Sequence, residues 1–176
     1  MDWPTVETER LVLRGHRAED FPASFALWSD PEVVRFITGR PSTREEAWSR
    51  LLRHVGHWHL LGFGYWAVED RQSGLMIGEV GFGSFKRTIA PSLEDYAEIG
   101  WVLDPAQHGR GLASEAVARV LAWADATLPM PATACIVSPE NAPSLRVAAK
   151  QGYAEFARTA YAGSPVVLLR RPRGGG

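Results

Sequence analysis

The feature that most constrains this chain is the way its apolar pattern switches between a period of two and a period of 3.6. "RLVLR" at 10–14 alternates Leu11 and Leu13 with charged neighbours and reads as a strand. Residues 18–30 set Phe21, Phe25 and Trp28 at helical spacing, and Asp30-Pro31 closes that helix. Pro31 can open a further short helix through Phe36. At 42–60, Ser42 and Glu45 have the spacing of a capping box and lead into a long amphipathic helix. "GYWAVED" and "LMIGEVGF", joined by "RQSG", form a hairpin, and "DYAEIGWVLD" at 95–104 is another strand. A helix follows over 111–127, with Ala113, Val117, Val120 or Leu121, and Ala124 on one face. "ATACIVS" is a strand. "NAPSLRVAAKQGY" is a helix with Asn141 as N-cap and Gly152 as its left-handed stop, and "EFART" and "PVVLLR" are closing strands. Strands and helices in this order predict an α/β chain, a mixed sheet with helices on its faces.

Composition narrows the function. One domain is expected over residues 1–170, with 171–176 a flexible tail. A net charge of −1 provides no general positive field, so neither nucleic acid nor an anionic membrane is an expected partner. The first residues, "MDWPTVETER", lack a basic start and an apolar stretch, so no signal peptide is expected. No apolar run reaches the roughly 20 residues of a spanning helix. Cys135 is the only cysteine; it reads as a small core residue, and a reducing, cytoplasmic setting fits.

The stretch "HGRGLASEA" carries the chemistry. Gly109 and Gly111 flank Arg110 where a helix begins. A helix start leaves N–H groups without partners and carries partial positive charge, and glycines let an anion approach the backbone. Nothing acidic lies between Pro105 and Ser114, and His108 and Arg110 add positive charge. Two readings stay open on these residues alone: a phosphate cradle, or a turn in which glycine meets backbone geometry only. A dinucleotide fingerprint is one glycine short, and no phosphate-loop lysine motif is present.

With "EIGWVLDP" before it and "SPENAPSLRVAAKQGY" after it, this stretch resembles the acetyl-coenzyme A site of the GNAT superfamily of N-acetyltransferases. "ETERLVLRGHRAED" is similar to the start of its RimJ/RimL-type branch. The resemblance implies a mostly antiparallel central sheet splayed at the cofactor site, with acetyl-coenzyme A as co-substrate and no metal. It assigns the pyrophosphate loop to His108, Gly109, Arg110, Gly111, Leu112 and Ala113, continuing to Ser114. His108 stands where the family has arginine or glutamine. Main-chain groups of Trp101, Val102 and Leu103 would pair with pantetheine, an N–H near Val102 would steady the oxyanion, and Asn141 would contact the cofactor arm. The family's usual tyrosine position is Ala148 here, and Ser144 falls where the branch often has a serine able to assist the departing sulfur.

Acyl transfer to an amine needs a neutral nucleophile. Glu98, inside the strand leading to the cofactor, is the first candidate base, unless it faces solvent or pairs with a basic side chain. Glu79 is the second candidate. Trp28, Phe36, Trp58 and Phe85 can line the acceptor pocket, although packing explains Trp28 equally well. Lys86 and Arg87 read as solvated cations, with an acidic acceptor as the other reading. His54, His57 and His59 lack a completing ligand nearby, so no metal is expected. The expected activity is acetyl transfer to a primary amine, a protein N-terminus or a small molecule, by a monomer or homodimer. A non-catalytic acyl-coenzyme A sensor is the alternative.

Overall fold

Residues 3–174 are described in a computed structural model of the chain. The strands are β1 (Val6–Glu7), β2 (Leu11–Arg14), β3 (Tyr65–Asp70), β4 (Met76–Gly83), β5 (Ala97–Leu103), β6 (Ala132–Val137), β7 (Ala154–Tyr161) and β8 (Ser164–Pro172). They form one sheet in the order β1-β2-β3-β4-β5-β6-β8-β7. Every neighbouring pair is antiparallel except β5 with β6. The helices are α1 (Phe21–Ser29), α2 (Pro31–Val34), α3 (Arg44–Leu61), α4 (Leu112–Thr127) and α5 (Ala142–Lys150). The expected α/β class and mixed sheet are what the chain forms. Among the described residues, no helix is long and apolar enough to cross a membrane.

Strand alternation divides the core. Val80, Phe82, Ile99 and Leu103 pack with the α4 stripe of Leu112, Ala116, Val117, Val120 and Leu121. On the other face, Val102 packs with Leu27 and Trp28 of α1, Val33 and Val34 of α2, and Ala47 of α3. Helices therefore cover both sides of the sheet.

Three local expectations shift. The capping box of α3 sits one residue later than expected. Thr43 accepts from the Glu46 N–H at 3.2 Å, and the Glu46 carboxylate accepts from the Thr43 N–H at 2.8 Å. Ser42 cannot cap because it is drawn inward, its N–H donating to the Trp28 carbonyl at 2.9 Å. The two-residue strand β1 was too short to show a period. At the other end, β8 runs through Pro172, and Arg171 is held by a two-pronged bond to Asp125 at 2.8 Å. Residues 171 and 172, expected in a flexible tail, therefore belong to β8; residues 175 and 176 lie outside the described residues.

The feature that positions the site is the parting of β5 and β6. Their ladder consists of Ala97 opposite Thr133 and Glu98 opposite Ala134. Beyond it, β5 continues along β4 to Leu103, while β6 continues along β8 to Val137. A wedge opens from Ile99 onward.

Candidate active site

The wedge is lined by backbone. Along a strand, successive residues aim their N–H and C=O groups at opposite edges. The Asp104 N–H donates to the Ile77 carbonyl at 2.9 Å, so Val102, Gly100 and Glu98 also face β4. Ile99, Trp101 and Leu103 face the wedge. This corrects one expectation: Val102 spends its backbone groups on β4, so of the three residues expected to meet the cofactor, Trp101 and Leu103 are the ones whose backbone faces the wedge. The Leu103 carbonyl lies 3.0 Å from His108 Nε2, so the side chain at the divergent loop position closes the wedge's outer end.

Beside the wedge stands the start of α4. Its N-cap is Gly111, at φ 77°, and no side chain caps the helix. Gly109 is also left-handed, at φ 74°. The first amides of α4 therefore point outward without an internal acceptor. The loop is braced from the far edge of the sheet. Arg10 donates to the Arg110 carbonyl at 2.9 Å and to Glu115 at 2.7 Å, and Thr8 donates to Glu115 at 2.5 Å. Arg10 and Thr8 thus offset Glu115, the acid in the first turn of α4. Arg110 is tied to the Gln107 side chain. Asn141 caps α5 through its side-chain oxygen, which accepts from the Ser144 N–H at 3.1 Å, leaving the amide N–H2 group for other use.

The sheet face under α1–α3 carries Glu79, Gly81 and Gly83 on β4 opposite Val102, Gly100 and Glu98 on β5. The glycines make room for Tyr65. A side chain at Gly81 would strike the Gly64 and Tyr65 backbone, and one at Gly100 would strike the Tyr65 hydroxyl. That hydroxyl lies on Gly100, next to the wedge. The Tyr65 ring stacks on His54 at 4.3 Å and 8°. Burial first, and Glu98 second, push the Tyr65 pKa up, so its hydroxyl stays a proton donor.

Two acids occupy this face in different ways. Glu79 is fully buried; Ser24 donates to it at 2.8 Å and Trp28 Nε1 at 2.9 Å. His54 Nδ1 lies 3.6 Å away, and His16, His54 and Glu79 offer ligand atoms within 4.8 Å of one another. Glu98 is gripped by the Arg87 fork at 2.8 and 2.7 Å. The paired alternative is therefore the one that forms, and Arg87 is not the solvated cation expected. A cavity of about 10 Å³, lined by Glu98, Phe85, Arg87 and Tyr96, adjoins it.

Residues 10–154 match the acetyltransferase (GNAT) domain. The chain belongs to the GNAT acetyltransferase family. It is 29% identical over 144 residues to the uncharacterised N-acetyltransferase p20 of Bacillus licheniformis, covering 81% of this chain and 78% of that one. It is 31% identical to a Bordetella pertussis protein assigned to the GnaT acetyltransferases, with a TM-score of 0.85 over 96% of this chain and 99% of that one. The fold is shared with RimL, a ribosomal L7/L12 α-N-protein acetyltransferase solved with coenzyme A, at 14% identity and a TM-score of 0.79, covering 98% of this chain and 100% of that one.

The GNAT frame brings Trp101, Leu103, His108 and the loop from Gly109 to Ser114 around one opening. The residues named for the acceptor separate. Trp28 lies under Arg50, whose guanidinium is 3.7 Å from its ring centroid, and Phe85 is flanked by Arg53 and Arg87 at 5.3 and 4.7 Å. Phe36 is half-buried beneath Arg35. Trp58 is corrected to the core: it packs on Trp66 and Trp123, and its Nε1 donates to the Tyr65 carbonyl at 2.9 Å. Tyr65 and the His16–His54–Glu79 group were missed because their members are far apart in sequence. One signal was available. "EVG" and "EIG" on adjacent strands each put an acid and a glycine on one face.

The buried histidines give a pH prediction. Burial lowers the pKa of His16 and of His54, outweighing the opposing pull of Glu79 on His16. Between the folded pKa and the unfolded value of about 6.5, the unfolded chain binds protons that the folded chain refuses. Stability is therefore fully present above about pH 6.5 and falls as pH drops below it. The slope approaches about 1.4 kcal/mol per pH unit for each histidine. Urea titrations from pH 8 to pH 5 should record this fall, and a shallower one in His54→Asn; a flat profile would refute it.

Proposed function

We propose that this acetyltransferase moves an acetyl group from acetyl-coenzyme A to a primary amine by direct attack within a ternary complex. The observation that carries the reading is the opening between β5 and β6 set against the uncapped start of α4. The amides from Leu112 to Ser114, reached over Gly109 and Gly111, suit the diphosphate. The backbone groups of Trp101 and Leu103 suit the pantetheine amides, and the Asn141 N–H2 group suits the same arm. Bound there, the co-substrate supplies an activated thioester. The Trp101 N–H, aimed into the wedge, is the donor we assign to the developing oxyanion.

The acceptor must shed a proton. An α-amine, with a pKa of about 8, is partly neutral at physiological pH and needs modest help. Glu98 remains our choice of base, acting through water, since the adjoining space of about 10 Å³ is about the size that one water needs. The Arg87 fork occupies one side of its carboxylate and fixes its orientation. Ser144, in the first turn of α5, is the group assigned to the departing sulfur. The acceptor is a protein N-terminus or a small amine.

The test follows free thiol while protein, acetyl-coenzyme A and a broad amine panel react. Amine-dependent release is expected. Glu98→Gln should lower kcat more than tenfold while the Kd for coenzyme A, by calorimetry, stays within about twofold. A sensor without turnover is the second reading, favoured by buried Ala148 where family members often carry a tyrosine. Tight binding with no release across the panel would establish it.

A further inference from the structure

Arg50 and Arg53 are neighbours on one face of α3 and line a cleft of about 410 Å³ between that helix and the loop carrying Thr38, Arg40 and Ser42. A cleft of this volume matches a small-molecule site. Arg50 is deeply placed. Its guanidinium lies over the Trp28 ring, and its Nε is buried without a hydrogen-bond partner. Arg53 sits over the edge of the same region, its guanidinium 5.3 Å from the Phe85 ring.

Among the described residues, neither arginine forms an ion pair, because the nearby acids are engaged elsewhere. Glu46 turns to Arg40 at 2.6 Å, Glu98 to Arg87 at 2.7 Å, and Glu79 to Ser24 and Trp28. The remaining acid on the wall is Glu45, exposed in the first turn of α3. A guanidinium keeps its charge under almost any surroundings, and burying part of it without a counter-ion, as at the Arg50 Nε, is costly. Arg53, exposed at the cleft rim, is a second cation beside it, and the two repel each other. An oxyanion between them would relieve both costs, and the guanidinium fork matches carboxylate or phosphonate geometry. Trp28 lies beneath Arg50, behind the cleft wall, and through its Nε1 bond to Glu79 it links Arg50 to the β4–β5 face beside the wedge.

We propose that the acceptor is a small amine that also carries an oxyanion, held by Arg50 and Arg53. This rests on the acetyl-transfer reading above. The same cations make the cleft hostile to polyamines, whose charges are all positive.

The experiment measures thiol release from acetyl-coenzyme A with free amino acids, the matching amino-acid amides, aminoalkylphosphonates, acidic peptides and spermidine. A kcat/KM for an amino acid or an aminoalkylphosphonate at least tenfold above that of the neutral amide is expected, with spermidine poorer still. In Arg50→Gln and Arg53→Gln this preference should shrink to within about threefold, chiefly through KM, and Arg50→Lys should keep part of it. Coenzyme A affinity reports that each variant is folded. Turnover in which amides or spermidine equal the acids overturns the proposal, as does an acid preference that survives the double glutamine variant. Turnover confined to acidic peptides overturns its small-molecule part. Absence of turnover with every amine, while coenzyme A binds, defeats the acetyl-transfer reading itself and this proposal with it.

Discussion

Gly111→Val is expected to weaken coenzyme A binding roughly 10- to 100-fold, with only a modest loss of stability. Gly111 holds φ 77° as the N-cap of α4, and a left-handed conformation costs a residue with a side chain roughly 1–2 kcal/mol. The added atom would meet little in the protein itself; Arg10 at 3.7 Å is the nearest group. The strain is therefore relieved by moving the loop, and the loop aims the amides. Binding should suffer more than folding, since every 1.4 kcal/mol is tenfold in affinity. Gly62→Val is the control. Gly62 ends α3 at φ 74° with open space around it, so it carries similar strain far from the wedge. Calorimetry with coenzyme A should separate the two variants, while thermal melts should not. Equal affinities would mean that the diphosphate is held elsewhere.

Glu79→Ala should cost about 3–5 kcal/mol of folding stability, the sum expected from two buried donors left without an acceptor and the cavity left by the side chain. Domains of this kind are stable by only about 5–15 kcal/mol, so the variant should lie near the limit of folding. The loss has two sources. The Ser24 hydroxyl and the Trp28 N–H lose their acceptor in a site closed to water, and a cavity opens between α1 and β4. Glu79→Gln keeps the volume and one acceptor oxygen, so it should lose clearly less. Urea unfolding followed by tryptophan fluorescence would measure both. A loss below about 1 kcal/mol for the alanine variant would show that the carboxylate is not the hub of this layer.

The parts of the site legible in the sequence are those whose chemistry is local. The glycines at 109 and 111, the helix they introduce and the Asn141 cap lie within short runs, and backbone rules act over such distances. The strand at Ala97–Leu103 was equally plain from its alternation. What alternation cannot supply is the partner on each side. Nothing in "EIGWVL" says that Glu98 meets Arg87, because their pairing spans a loop. Trp58 shows the same limit. A helical period places it on the inner side of α3, and only the packing of β3 and α4 decides that it meets Trp66 and Trp123 rather than an acceptor. Tyr65 needed glycines on two other strands to be recognised.

The alternation of β5 has a further consequence. The peptide groups that open toward the wedge do so because of odd or even position, counted from a ladder fixed by β4. One residue inserted between Ile99 and Leu103 would exchange the inward and outward amides, leaving sequence and hydrophobicity almost unaltered while turning the strand's donors away from the wedge.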